Sequence, residues 1–293
     1  MSDRGIHVVR AHLAKIPPAV TVAEKRAQYD RAERVFPVPA DVAVKSVQAP
    51  MAAEWLEPPA AREGAAVLYF HGGGYVIGSP RSHRHLAAAI GRAARARVLL
   101  PDYRLAPEHP FPAAVDDAVA AYRWLLDRGH APSGIALAGD SAGGGLVVAT
   151  LLALRERRLP KPAACACISP WVDLTFSGGS YATKAASDPI VTWEGVTEMA
   201  RAYVGKGDAR APLVSPLFAD LTGLPPLLIH VGSEEVLLDD AVVLAERARA
   251  AGVETSLEVW PEMIHVWHWF LPMLDEAQVA VDRIGEFVRA RTS

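Results

Sequence analysis

Residues 139–144 read Gly-Asp-Ser-Ala-Gly-Gly, which sets Ser141 directly after the apolar run Ile135-Ala136-Leu137-Ala138 and directly before a helical stretch over 146–154. A serine hydroxyl is a weak nucleophile, so it must stand clear of the backbone where an imidazole can reach it, and a tight strand-to-helix turn does this. Gly139 and Gly143 suit such a turn because a Cβ at either place would meet the neighbouring strand or helix. The helix starting at Ala142 also aims free N–H groups at the reacting carbon, where they favour a developing oxyanion. Plain glycine-rich turns share the five-residue pattern, so it needs partners elsewhere in the chain.

One partner is His71-Gly72-Gly73-Gly74, which follows a second apolar run, Ala65-Ala66-Val67-Leu68-Tyr69-Phe70. Consecutive glycines let the backbone turn its N–H groups inward and let a substrate approach without side-chain interference. The amides of Gly73 and Gly74, joined by that of Ala142, are the candidate oxyanion donors. One such donor contributes about 3 to 4 kcal/mol of transition-state stabilisation.

An activated serine also needs a base, and the base needs an acid that holds its tautomer; after a strand-borne serine the expected chain order is serine, acid, histidine. Of the ten histidines, His83 and His85 fall on a helix, His109 lies between Glu108 and Pro110, and His230 falls inside a strand. His265 follows the last strand in the loop opened by Pro261-Glu262-Met263-Ile264, where a base should stand, and His268 ranks second. For the acid, Glu234, Glu235, Asp239 and Asp240 compete after the strand over 226–232. Glu235 is preferred because Asp239 and Asp240 read as first-turn residues of the next helix, where carboxylates occur for dipole reasons alone. Spacing leaves the choice open.

The elements that must position these groups follow from the hydrophobic pattern. Strands are expected over 42–48, 53–57, 65–70, 97–101, 134–139, 163–169, 226–232 and 255–260, alternating with helices over 82–96, 113–128, 142–157, 239–251 and 271–289. This alternation predicts an α/β fold with a mainly parallel sheet. Residues 1–41 read as one or two helices, and the long stretch 174–218 is expected to hold a helix around 194–203, since structureless loops of that length are rare in compact domains.

Composition narrows the class of function. Of 293 residues 51% are hydrophobic and 22% charged, enough apolar content for a large core, and the net charge of −3 offers no electrostatic footprint for nucleic acid. The first 18 residues lack an unbroken apolar stretch, so no signal peptide is expected, and no run reaches the roughly 20 apolar residues that span a bilayer. Cys165 and Cys167 lie on one face of a strand, too strained a pair for a disulfide, which fits core packing and a cytoplasmic location. No metal-ligand spacing and no phosphate loop is present, so neither metal nor organic cofactor is expected.

His71-Gly72-Gly73-Gly74, Gly139-Asp140-Ser141-Ala142-Gly143-Gly144 and Asp102-Tyr103-Arg104-Leu105-Ala106-Pro107-Glu108-His109-Pro110-Phe111-Pro112-Ala113 together resemble the hormone-sensitive-lipase-like, bacterial family IV carboxylesterases of the α/β-hydrolase superfamily. The resemblance covers roughly residues 40 to 290. It implies an α/β-hydrolase fold over 42–293, with residues 1–41 and the insertion at about 174–218 forming a helical cap over the site. The family's acid usually opens an Asp-Pro-Leu-x-Asp segment. Here the matching residues are Glu235-Val236-Leu237-Leu238-Asp239, so glutamate replaces aspartate and valine replaces proline.

The resemblance implies hydrolysis of small-molecule esters of short to medium acyl chains, by a Ser141, His265 and Glu235 triad through an acyl-enzyme. Trp55, Tyr75, Phe36 and Trp193 are candidates to line the pocket, although large aromatics more often pack in cores. The rival readings are a ligand-binding protein of the same fold without turnover, and an amide, lactone or thioester hydrolase. Oligomeric state is not legible, a homodimer being the assembly held open.

Overall fold

Eight strands pair into one sheet in the computed structural model, which describes residues 4–293. The strands are β1 (Ala43–Gln48), β2 (Ala52–Glu57), β3 (Ala66–Phe70), β4 (Arg97–Pro101), β5 (Ile135–Asp140), β6 (Ala164–Ile168), β7 (Leu227–Gly232) and β8 (Thr255–Trp260). Their order across the sheet is β1-β2-β4-β3-β5-β6-β7-β8. β2 runs antiparallel to both neighbours, and every pair from β4 to β8 is parallel. β3, β5, β6 and β7 are buried along their whole length, which is why they read as unbroken apolar runs, whereas the edge strand β8 mixes exposed and half-buried positions.

The helices are α1 (Ile6–Leu13), α2 (Val22–Asp30), α3 (Ala32–Val35), α4 (Pro80–Ala94), α5 (Ala113–Asp127), α6 (Ala142–Glu156), α7 (Ser180–Thr183), α8 (Trp193–Val204), α9 (Leu238–Ala250) and α10 (Asp275–Arg291). α4 and α10 share one apolar cluster with one face of the sheet, and α5, α6 and α9 share another with the opposite face. Cys165 and Cys167 are free and buried, both in the second of these layers. Among the described residues no helix is long and apolar enough to cross a membrane.

Boundaries differ from expectation where local chemistry overrides periodicity. α4 starts at Pro80 rather than 82, because Ser79 caps the helix and a proline fits its first position. The last helix starts at Asp275 rather than 271, since Leu271 precedes Pro272 and a 3₁₀ turn, Trp267–Phe270, occupies the chain just before. The leading segment forms three short helices instead of one or two, and α7 is an addition of four residues that no periodicity announces.

Candidate active site

Parallel pairing brings the C-terminal ends of five strands into one row. Phe70 pairs with Gly139, Asp140 with Ile168, Ile168 with His230 and Gly232 with Trp260, so the loops that leave β3, β5, β6, β7 and β8 start side by side. Such a row of carboxyl ends is where ligands bind in open α/β sheets.

Ser141 occupies the turn between β5 and α6 with φ 54° and ψ −122°, a strained backbone for a residue with a Cβ. The turn closes only because its flanks are glycines: a Cβ on Gly143 would lie 2.0 Å from the Phe70 carbonyl oxygen, and one on Gly139 would lie 2.5 Å from the Gly143 oxygen. The Ser141 amide donates to the Ile168 carbonyl at 2.8 Å and its carbonyl accepts from Trp171 N at 2.9 Å. Half-buried among fully buried neighbours, Ser141 lines a cavity of about 110 Å³ together with Gly73, Gly74, Val196, Met199 and His265.

Gly73 and Gly74 take φ of 116° and 61°, conformations that L side chains rarely adopt. Their amides, and that of Ala142 at the first position of α6, have no protein acceptor among the described residues. The glycine loop is braced from behind. Tyr103 Oη donates to the His71 carbonyl at 2.6 Å, Ala106 N to the Tyr75 carbonyl at 2.8 Å, and Asp140 Oδ1 accepts from Gly72 N at 3.1 Å and Tyr69 Oη at 2.7 Å. Arg26 of α2 reaches the same loop, donating to the Val76 carbonyl at 2.8 Å and the Ala106 carbonyl at 2.9 Å while pairing with Glu108. Burial alone would raise the Asp140 carboxyl, yet the nearby His83 ring, the Tyr69 hydroxyl and His71 hold it below the usual range. The structural roles of Asp140 and Tyr103 were not read from sequence, although both residues stand inside the quoted motifs.

His265 and Glu235 meet in the interior: Nδ1 lies 2.7 Å from Oε2, with the ring 4% exposed and the carboxylate fully buried. Burial would depress the imidazole pKa, but the Glu235 hydrogen bond and charge, with Asp188 and Asp140 adding, raise it above its ordinary value. Glu235 Oε1 accepts from Gly232 N at 2.5 Å and from the Ser169 hydroxyl at 2.8 Å. Asp188 joins this loop to the cavity wall by accepting from Val236 N at 3.0 Å and from Ile190 N and Val191 N at 2.9 and 3.0 Å.

The competing residues go elsewhere. Asp239 accepts from Ser180 N at 2.9 Å at the start of α7, Asp240 from Val172 N and Asp173 N at 2.9 Å each, and Glu234 pairs with Lys184. His268 lies in the 3₁₀ turn, not in the terminal helix region, with Nε2 3.1 Å from His230 Nδ1. His83 lines the same cavity, but its Nε2 faces Asp140 Oδ2 at 3.3 Å; His85 is buried on α4 with Nε2 3.0 Å from the Trp269 carbonyl, and His109 is exposed. The four aromatic candidates for the cavity lining are not in it, and three of them are buried in the core, the reading preferred for large aromatics. Trp55 packs against Trp124 beneath Arg97, Tyr75 stacks on Tyr203 at 3.8 Å, Phe36 stacks on His85 and Trp193 is exposed; the lining aromatics are Tyr29, Trp171 and Trp269.

Comparison with known proteins bears on the fold and the family. A family model described as the alpha/beta hydrolase fold matches residues 67–269. An acetyl-hydrolase from Streptomyces hygroscopicus is 50% identical over 275 residues, covering 92% of this chain and 91% of that protein. A crystal structure of an esterase from the bacterial hormone-sensitive lipase family superposes with a TM-score of 0.93 at 52% identity, over 96% of this chain and 95% of that one. An esterase/lipase from an uncultured bacterium superposes with a TM-score of 0.93 at 48% identity, over 98% and 97% of the two chains.

Proposed function

This chain belongs to the α/β-hydrolase fold family, within its hormone-sensitive-lipase-like group of serine carboxylesterases, and from that premise we propose that Ser141, His265 and Glu235 are its catalytic triad. The observation that carries the assignment is the buried 2.7 Å contact between His265 and Glu235 at the cavity that Ser141 lines.

In the proposed reaction His265 takes the Ser141 proton as the hydroxyl attacks an ester carbonyl. The amides of Gly73, Gly74 and Ala142 receive the oxyanion, the alcohol leaves with a proton from His265, and water releases the acid by the same steps. Glu235 holds Nδ1 protonated, so that the other ring nitrogen is free to act as base, and it stabilises the imidazolium once formed.

Residues 1–41, of which 1–3 lie outside the described residues, and 174–218 act as the cap in this reading, supported by Tyr29 on one side of the cavity and Ile190, Val196 and Met199 on the other. Short to medium acyl chains suit a space of about 110 Å³ between apolar walls, since pockets for drug-sized ligands start near ~300 Å³. A homodimer is supported by β8, an outer strand with one unpaired edge and Val259 exposed, and light scattering on the eluted protein reads its mass directly. The two free, buried thiols suit a reducing, cytoplasmic setting.

The test of activity is hydrolysis of p-nitrophenyl acetate, butyrate and decanoate. Saturable turnover that is highest on the two short esters is expected. Release no faster than in buffer would overturn the enzymatic reading, and a preference for decanoate would overturn the chain-length reading.

A further inference from the structure

Glu235 stands where the family pattern usually has aspartate, and the extra methylene adds a rotatable bond to the side chain that must hold His265. A longer carboxylate needs more fixing. Two donors supply it on Oε1: Gly232 N, three residues earlier at the end of β7, and the Ser169 hydroxyl, one residue beyond the neighbouring strand β6. Ser169 does more than donate. Its oxygen accepts from Val266 N at 3.2 Å, the amide that follows His265, and its own amide donates to the His230 carbonyl at 2.7 Å on β7. One fully buried hydroxyl thus touches both the carboxylate and the loop of the imidazole that the carboxylate must meet.

The backbone at Ser169 strengthens the point. Its φ is 44°, in the left-handed region where glycine sits freely and serine is not a favoured residue. Glycine would meet the conformational demand at lower cost but would bring no hydroxyl. Strain retained beside a reactive group is commonly strain with a use.

We infer that Ser169 is a positioning residue for the acid and base: its hydroxyl clamps Oε1 of Glu235, leaving Oε2 aimed at His265, and at the same time tethers the His265 loop through Val266. The inference rests on the assignment of Glu235 and His265 made above. It explains how glutamate serves where a shorter acid is usual, since the carboxylate is held by two donors besides the imidazole.

The experiment compares the full-length parent with Ser169→Gly, Ser169→Ala, Glu235→Gln and the double variant Ser169→Gly/Glu235→Gln on p-nitrophenyl butyrate. Glycine suits the φ at this position, so the first variant removes the hydroxyl without backbone strain. Each Ser169 single variant is expected to lose about ten- to a hundredfold in kcat, the scale of a hydrogen bond to a charged group, with KM changed by less than about threefold. In the Glu235→Gln background the same Ser169→Gly change is expected to cost less than about threefold, because the carboxylate it served is gone.

Single variants that keep kcat within about threefold of the parent would overturn the inference, as would a Ser169→Gly loss of equal size in both backgrounds, which marks a general structural role. If Glu235→Gln itself keeps parental kcat, the assignment of the acid fails instead. If Glu235→Gln collapses while the Ser169 variants do not, only the present inference falls.

Discussion

Asp140 and Gly72 are 68 residues apart in the chain, yet the carboxylate of the first accepts the backbone amide of the second at 3.1 Å. The residue before the proposed nucleophile therefore holds the first glycine of the proposed oxyanion loop. Asp140→Ala should leave Gly72 N and the Tyr69 hydroxyl without their buried acceptor, lowering kcat about ten- to a hundredfold with a smaller effect on KM and a lower melting temperature. Steady-state kinetics with a thermal scan check this; unchanged kcat would show that the Tyr103 hydrogen bond to the loop is sufficient.

Ser141→Ala is expected to lower kcat about a million-fold while a substrate analogue still binds, because the members of such a triad act as a unit. A loss smaller than about a hundredfold would assign the nucleophile elsewhere.

The pH profile should carry the mark of the buried carboxylate. His265 must be neutral to accept a proton, and its pKa lies above the ordinary ~6.5, so activity should fall as pH drops through a value higher than that. Glu235→Gln removes the charge and leaves the desolvation, so the acid limb should move to lower pH even as kcat falls. Asp239→Ala should do neither, since that carboxylate serves the start of α7. An acid limb that stays in place in the Gln variant would contradict the coupling.

Asp240 offers a test of stability rather than rate. Burial, offset by the Val172 and Asp173 amides and aided by the Asp173 charge, pushes its carboxyl up to about 8. Between an unfolded value near ~3.9 and this one the folded protein binds the extra proton, so the contribution is full at low pH and is lost as pH rises through about 8. Asp240→Asn cannot ionise, and the melting temperature of the variant minus that of the parent should grow from pH 5 to pH 9. A constant difference would place the carboxyl in its usual range.

The motifs that turn the backbone sharply were legible in the chain because glycine and a lone reactive side chain leave a local trace, as around Ser141 and at Gly73 and Gly74. The parallel strands were equally plain, since burial on both faces of β3, β5, β6 and β7 writes continuous apolar runs. Ser169 and Asp188 left no such trace. Each is a single polar residue whose meaning depends on partners 66 and 48 positions away, Glu235 for the first and Val236 for the second, and no periodicity encodes that meeting. The aromatics that do line the cavity are hidden from the sequence for the same reason. Tyr29 and Trp269 reach the cavity from opposite ends of the chain and pack with ring centroids 5.1 Å apart, tilted by 43°, while Tyr75, next to the glycine loop in sequence, turns away towards Tyr203.

The leading helices bear on both halves of the chemistry. Arg26 bonds to carbonyls at 76 and 106 beside the glycine loop, and Val9, Ala32 and Phe36 share an apolar cluster with Met263 and Ile264, just before His265. Under the proposed cap assignment, entrance width and reaction geometry are therefore not independent design variables in this protein. A graft that swaps the first forty residues to admit bulkier esters would retune the donors and the base together, and its kinetics would need to be judged on turnover as well as on selectivity.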